Sequence, residues 1–227
     1  DQTLPKKVTL IEVGPRDGLQ NEARALSVTE KHLLITKLTD SGLTTIEAGS
    51  FVSSRSIPQM ANTGELIKQL NLNSSVHYPI LTFNERGLDQ AIDLGVKYLA
   101  VGTAASTTFT EKNINCSADE TLKRFAKLIP RARAAGMRVR GYLSCVLGCP
   151  YEGKVAYSST HQFAERLLDM GCSEISLGDT IGIGTPQQVH ALLDELLKTI
   201  AKEKLAVHFH DTRGTALANI VTALQMG

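Results

Sequence analysis

The stretch 170-MGCSEISL-177 carries the pattern that decides the fold, because a glycine closes a helical segment and an apolar strand follows it directly. Glycine suits the left-handed residue that ends many helices, and Ile175 and Leu177 suit a buried strand. Three other segments repeat this order of helix end and strand: 41-SGLTTIEA-48, 94-LGVKYLAV-101 and 135-AGMRVRGY-142. We interpret the repetition as structural and expect a helix before each of these strands.

The whole chain contains seven candidate strands that start roughly every 20 to 40 residues, as in βαβ units. They are 8-VTLIEV-13, 44-TTIEA-48, 76-VHYPILTF-83, 98-YLAVGT-103, 138-RVRGYLS-144, 174-EISLGD-179 and 205-LAVHFH-210. Several are apolar on both faces, which is typical of parallel strands covered by helices. The pattern predicts an α/β fold, a (β/α)8 TIM barrel, in one domain over residues 1–227. Because only seven βα units are present, we expect strand eight and the C-terminal cap to be missing.

Capping signals support the helices between these strands. Ser27 followed by Glu30 has the spacing of a capping box, and Ser117 followed by Glu120 repeats it. The second box opens the segment 118-ADETLKRFAKLIPRARAAG-136, in which we expect Pro130 to kink or split the helix.

The composition excludes several classes of protein. The net charge is +1, aromatic residues make up 5% of the chain and there is no tryptophan, so we expect no nucleic-acid binding. No apolar run reaches the length of a membrane span, and 1-DQTLPKK-7 is too short and polar for a signal peptide. Four cysteines do not make a disulfide scaffold in 227 residues, which favours a reducing compartment.

The ends of the candidate strands carry polar residues where a barrel places its active site. They are Arg16, Asp17, Glu47, Tyr142, Ser144, Asp179, His208 and His210. Because side chains alternate along a strand, His208 and His210 point the same way and Phe209 points the opposite way. Two imidazoles and a carboxylate such as Asp17 make half of the ligand shell of a divalent metal ion.

Each of these residues also has a plain structural interpretation. A histidine at a strand end is often a hydrogen-bonded core residue, and an arginine in a turn often contacts only water. Glu47 and Asp179 could each be a general base, an orienting partner or a structural acid. The glycine-rich 178-GDTIGIG-184 matches no phosphate-binding motif and is better interpreted as a loop that lets its backbone approach a ligand. Cys145 and Cys149 lack the second pair that a zinc site of this type requires.

Five stretches resemble the 3-hydroxy-3-methylglutaryl-CoA lyase family, and the resemblance runs from about Lys7 to Gly227. They are 12-EVGPRDGLQNE-22, 112-KNINCS-117, 140-RGYLSCVLGCPYEGK-154, 174-EISLGDTIGIGTP-186 and 207-VHFHDTRGTALANI-220. The family belongs to a wider group of metal-dependent (β/α)8 enzymes that includes condensing synthases.

The resemblance implies a carbon–carbon lyase that cleaves (S)-3-hydroxy-3-methylglutaryl-CoA, a CoA thioester, to acetyl-CoA and acetoacetate with Mg²⁺ or Mn²⁺. The implied metal ligands are Asp17, His208 and His210. The implied catalytic residues are Arg16, Glu47 and Asp179, with Arg16 stabilising the enolate. The implied substrate contacts are Arg16, Tyr142, Ser144 and Asn113.

The resemblance also implies a homodimer and a role such as leucine degradation, while the composition and charge predict no nucleic-acid or membrane partner. The absence of a presequence suits the cytoplasm of a bacterium, or the mitochondrial matrix if a presequence has been removed.

The sequence departs from the family's pattern at several positions. Gly49 replaces a threonine, and Ser54, Arg55 and Ser56 replace Pro-Lys-Trp. Ala23 stands where a lysine is common, and Arg213 stands where many members have tyrosine. These changes could alter acyl specificity or mark a bacterial branch.

The family's catalytic cysteine and an asparagine metal ligand belong to the eighth strand and the loop after it, so neither is assigned. The cysteine's role does not transfer to Cys145, Cys149 or Cys172, which lie in other motifs. Two alternatives stay open: a condensing synthase or related acyl-CoA lyase of the same group, and an inactive truncated fragment. The motifs 12-EVGPRDGLQNE-22 and 208-HFHDT-212 favour the lyase.

Overall fold

The computed structural model describes residues 4–114 and 116–227, and in this part of the chain six strands alternate with helices. The strands are β1 (Gly49–Phe51), β2 (Ile80–Thr82), β3 (Tyr98–Ala104), β4 (Arg138–Ser144), β5 (Glu174–Asp179) and β6 (Leu205–Phe209). The α-helices are α1 (Val28–Asp40), α2 (Thr63–Ile67), α3 (Glu85–Asp93), α4 (Thr107–Ile114), α5 (Ala118–Ala134), α6 (Tyr157–Asp169), α7 (Pro186–Leu196) and α8 (Ala216–Gln225). Within each of the two units described below, the strands pair in the order in which they follow one another in the chain.

The chain forms two compact units. The N-terminal unit comprises Thr9–Val101 and Pro130–Val139, and the C-terminal unit comprises 4–8, Gly102–Ile129 and Arg140–Gly227. The single domain predicted from the sequence stays a prediction. No helix in the described ranges 4–114 and 116–227 is both long and apolar enough to span a bilayer.

In the N-terminal unit, β1 pairs with β2 and β2 pairs with β3, both in parallel. Gly49 lies opposite Ile80, and Ile80 lies opposite Leu99. Every residue of β2 and β3 is buried, as expected of parallel strands that are covered on both faces.

In the C-terminal unit, β4 pairs with β5 and β5 pairs with β6, again in parallel. The register sets Tyr142 opposite Ser176 and Gly178 opposite His208. Leu143 and Leu177 are fully buried on the other face of these strands. Burial of each such leucine stabilises the folded state by about 2 kcal/mol. A shift in strand register would lose this burial, so the apolar face also fixes which polar residues lie opposite each other.

The last four predicted strands agree with β3 to β6 within one residue, whereas the first three are shorter than predicted. Residues 8–13 form only an isolated bridge from Glu12 to Ile46. The second predicted strand, 44–48, forms only bridges, and the regular strand β1 begins after it. In the third, Pro79 has no N–H for the ladder, and regular pairing begins at Ile80.

The predicted helix starts are confirmed. Ser27 caps α1 in a reciprocal capping box with Glu30. Ser117 and Glu120 form the same reciprocal bonds before α5, at 3.2 Å and 3.0 Å. Of the two outcomes expected at Pro130, the split is wrong, because α5 runs across it to Ala134, and the kink stays a prediction. A proline in a helix removes one N–H bond, and here the buried neighbours Leu128, Ile129 and Ala132 hold the helix against its core face.

Candidate functional site

The first group of predicted site residues lies in the N-terminal unit, in the turn Gly14–Gly18. The turn is closed by bonds from the Arg16 and Asp17 N–H groups to the Val13 carbonyl, at 3.0 Å and 2.6 Å. The side chain of Asn21 donates to the Asp17 carbonyl at 2.9 Å. The backbone of the turn is therefore satisfied locally, which leaves the Arg16 and Asp17 side chains to make other contacts.

Arg16 is a buried cation that is held by carboxylates. Its Nε donates to Glu47 Oε2 at 2.9 Å, and its Nη1 donates to Asp17 Oδ1 at 3.0 Å. Arg16 is 8% exposed and Glu47 is fully buried. Removing one partner of such a pair leaves an uncompensated buried charge, at a cost of about 3–5 kcal/mol. Because the Glu47 carboxylate accepts from Nε, it sets the direction of the guanidinium, whose planar set of N–H donors has a fixed geometry.

The second group lies in the C-terminal unit, where His208 and His210 meet at the end of β6. Their Nε2 atoms are 3.1 Å apart, and the ring planes make an angle of 61°. His210 Nδ1 lies 2.7 Å from the Thr180 carbonyl oxygen. A carbonyl oxygen only accepts, so Nδ1 carries a proton and a neutral ring has its lone pair on Nε2.

This arrangement fits a metal ion. In protein metal sites a histidine ligand usually donates its other ring N–H to a carbonyl or carboxylate, which fixes the tautomer and the ring orientation. His210 has this geometry through Thr180. The two Nε2 atoms converge closely enough for one ion to replace the contact between them, as the strand alternation of His208 and His210 predicted.

Asp179 is fully buried at the end of β5, and its carboxylate organises the loop that follows. Oδ1 accepts the Ile183 N–H at 3.2 Å, and Oδ2 accepts the Gly184 N–H at 2.8 Å. A Cβ built on Gly184 would lie 2.9 Å from Asp179 Oδ2, so the glycine allows this close approach. The glycine-rich segment is thus folded around the Asp179 carboxylate.

The remaining predicted substrate residues also lie in the C-terminal unit. Tyr142 and Ser144 are half-buried and share one face of β4, two residues apart. Asn113 is exposed near the end of α4. The start of α4 is tied to the segment after β4, because the Thr108 N–H donates to Glu152 at 2.7 Å.

Cys145 and Cys172 are buried thiols, which makes them poor candidates for thiolate metal ligands. Burial raises the pKa of Cys145 to about 12, and burial also raises the pKa of Cys172 to about 12. With these raised pKa values both groups are protonated at neutral pH, whereas a thiol binds metal as the thiolate. Cys149 Sγ lies 3.0 Å from the Ser106 hydroxyl in a buried contact.

Sequence reasoning missed Thr180 and Gln20. Thr180 holds His210 through its backbone carbonyl, which any residue type could supply, so no signal in the sequence marks it. Gln20 Oε1 accepts from Arg16 Nη1 at 3.4 Å. Gln20 follows Arg16 by four residues within the quoted motif, and this spacing is the one signal that could have identified it.

Comparison with known proteins shows the family to which the chain is similar. The family model described as HMGL-like matches residues 7–227. The mitochondrial hydroxymethylglutaryl-CoA lyase of Bos taurus is 52% identical over 225 residues, which cover 99% of this chain and 69% of the relative. The cytoplasmic 3-hydroxy-3-methylglutaryl-CoA lyase of Mus musculus is 50% identical over 99% of this chain and 65% of the relative.

The fold is shared with solved structures as well. The crystal structure of hydroxymethylglutaryl-CoA lyase from Pseudomonas aeruginosa is similar with a TM-score of 0.96 and 48% identity. The match covers 99% of this chain and 75% of that one. This similarity confirms the predicted fold class, an α/β protein of the TIM-barrel type.

Proposed function

This chain belongs to the HMGL-like family and is a carbon–carbon lyase, and we propose that it cleaves (S)-3-hydroxy-3-methylglutaryl-CoA to acetyl-CoA and acetoacetate. The single observation that carries the site assignment is the convergent pair of His208 and His210, with His210 fixed by Thr180. The alternative of a condensing synthase has less support, because the most similar relatives named above are lyases at about half identity.

The reaction sets clear demands on the protein. The C3 hydroxyl loses its proton, the C2–C3 bond breaks, and C3 becomes the ketone of acetoacetate. The electron pair of that bond moves to C2 and the thioester oxygen as an enolate, which takes up a proton to give acetyl-CoA. The protein must therefore acidify the tertiary alcohol and stabilise the enolate oxygen.

We assign Asp17, His208 and His210 as the ligands of a divalent ion, Mg²⁺ or Mn²⁺. They offer one carboxylate and two imidazoles as donors. A bound ion of this kind would act as a Lewis acid on the substrate alcohol and orient it. Thr180 contributes by holding the proton of His210 on Nδ1, which keeps the lone pair of Nε2 available to bind the ion.

We assign Arg16 to the developing enolate. Its guanidinium is buried and already oriented by Glu47 and Asp17, so little reorganisation is required when negative charge develops. Glu47 then acts as the orienting partner rather than as the base. Asp179 supports the site by holding the 180–184 loop, and Tyr142, Ser144 and Asn113 stay predicted contacts of the acyl-CoA substrate.

The first experiment measures acetoacetate released from HMG-CoA with saturating Mn²⁺. We expect His208→Ala to abolish turnover, because removal of one imidazole disrupts the metal donors. The matched control is His161→Ala on the face of α6, where the ring contacts Thr199 and Glu195 instead. Turnover that survives His208→Ala would contradict the metal assignment, and parent protein without turnover would support the inactive-fragment alternative.

A second experiment separates binding from chemistry at Arg16. We expect Arg16→Met to lower kcat about 10²- to 10³-fold with a smaller change in KM, since donors to an oxyanion act mainly in the transition state. Arg24→Met is the control, because Arg24 makes an exposed pair with Glu30. A rise in KM with unchanged kcat would assign Arg16 to ground-state binding alone.

The cellular setting is proposed from the relatives. We place the protein in the cytoplasm or in the mitochondrial matrix, since relatives of both locations exist, and we associate it with leucine degradation. A homodimer is the expected assembly, and sedimentation velocity would measure its mass.

A further inference from the structure

The loop 180–184, which carries Thr180, is also held from α8. The Gly184 carbonyl accepts two side-chain donors, Thr215 Oγ1 at 3.1 Å and Asn219 Nδ2 at 3.0 Å. Asn219 is 1% exposed, in the first turn of α8. All three residues belong to the C-terminal unit.

The same loop is held at its other side by β5 and reaches His210. Gly184 N–H binds Asp179, and Thr180 C=O accepts from His210 Nδ1. Thr180 is fixed in turn because its hydroxyl accepts the Cys145 N–H at 2.8 Å. Asp179 therefore accepts the Gly184 N–H and Asn219 donates to the Gly184 carbonyl, so both polar groups of this residue are held. Because Thr180 and Gly184 belong to one short loop, we expect a shift of Gly184 to move the carbonyl that orients His210.

An asparagine is a poor choice for this position on packing grounds alone. Its Oδ1 is buried without a hydrogen-bond partner within residues 4–114 and 116–227. A half-satisfied buried amide costs free energy, and an apolar side chain of the same size would avoid this cost. The backbone N–H of Asn219 already bonds Thr215 C=O, so the helix does not need the side chain. What the side chain contributes is the bond to Gly184.

We propose that Asn219 is a positioning residue for His210, acting through Gly184 and the 180–184 loop. The inference rests on the proposed function, in which His210 binds the metal ion. Asn219 contacts neither imidazole in this chain of bonds. It sets the tautomer and the direction of the His210 ring by keeping the Thr180 carbonyl in place.

The test compares Asn219→Ala with Thr222→Ala in the same helix, where the Thr222 hydroxyl donates to the Ala218 carbonyl of α8 itself. Mn²⁺ affinity is measured by titration calorimetry. We expect Asn219→Ala to weaken Mn²⁺ binding about tenfold, at the lower end of the effect of orienting partners of metal ligands, and Thr222→Ala to leave it unchanged. In the metal-free protein, ¹⁵N NMR of the imidazoles should show the Nδ1–H form of His210 giving way to a tautomer mixture.

Thr215→Val provides a second variant that removes the other donor to the same carbonyl. We expect it to weaken Mn²⁺ binding in the same direction. The effects of the two substitutions should be non-additive in the double variant, because both act through Gly184. Thr215→Val alone remains informative if Asn219→Ala folds poorly, because it removes a different donor to the same carbonyl.

The outcomes separate the two proposals. Parent protein that binds Mn²⁺ no better than His208→Ala overturns the metal assignment and the inference with it. The parent protein could instead bind Mn²⁺ through His208 while Asn219→Ala and Thr215→Val leave the Mn²⁺ affinity and the His210 tautomer unchanged. That result would overturn the positioning role alone. A lower melting temperature without a change in Mn²⁺ affinity assigns Asn219 a purely structural role.

Discussion

At the scale of single residues, Gly182 shows how the loop shapes the histidine pair. Its φ is +62°, and a Cβ at this position would lie 2.7 Å from the His210 carbonyl and 2.6 Å from Thr212 Oγ1. An L-residue in this conformation costs about 1–2 kcal/mol even in open space. The close approach adds a steric demand that a shift of the loop or of the His210 segment would have to relieve.

We therefore expect Gly182→Ala to weaken Mn²⁺ binding at least tenfold in a calorimetric titration. The matched control is Gly95→Ala, since Gly95 has φ of +73° and open space around its Cβ position. Both substitutions should lower the melting temperature through the backbone cost, whereas only Gly182→Ala should displace His210. Equal Mn²⁺ affinities in the two variants would show that the loop tolerates the added methyl group.

At the scale of elements, the start of α1 depends on ionised Glu30. Hydrogen bonding from Arg24, together with the Ser27 N–H and hydroxyl, lowers the pKa of Glu30 to about 2. The ordinary value for a glutamate is 4.5, so the folded state favours the carboxylate. This contribution is fully present above pH 4.5 and is lost as the pH falls toward 2.

We expect Glu30→Gln to reduce the free energy of unfolding at pH 7 and to matter progressively less from pH 4.5 to pH 2.5. Urea unfolding monitored by circular dichroism across this range measures the difference. Glu111→Gln in α4 is the control for loss of a single exposed charge. A difference between wild type and Glu30→Gln that is constant from pH 7 to pH 2.5 would rule out the capping role of the ionised carboxylate.

At the scale of the whole molecule, the proposed metal site would link ion binding to folding. An ion that binds the folded chain and not the unfolded chain stabilises it by about 2.7 kcal/mol at one hundred times its dissociation constant. For a chain of 227 residues this corresponds to a rise of about 5–10 °C in Tm.

We expect Mn²⁺ to raise the Tm by this amount and EDTA to reverse the effect, as measured by differential scanning calorimetry. The rise should be absent in His208→Ala and retained in His161→Ala. An equal rise in His208→Ala would place the stabilising ion at some other site.

The fold class, the last four strands and the helix caps could be predicted from the amino-acid sequence. These features depend on local chemistry: apolar runs, glycine at helix ends, and serine three residues before glutamate. The shared direction of His208 and His210 was equally predictable, because the alternation of side chains along a strand is a property of the backbone.

Two features could not be predicted from the sequence and depend on tertiary contacts. They are the extent of regular pairing in the first three predicted strands and the hydrogen-bond partners of the site residues. Bridges at Glu12 and Thr45 replace regular strands there, and α5 crosses Pro130 because its apolar neighbours hold it. The partners of Arg16 and His210, namely Glu47 and the Thr180 carbonyl, lie about thirty residues away in the chain. Such contacts depend on which loops meet after folding, and a backbone carbonyl leaves no signature in the residue type.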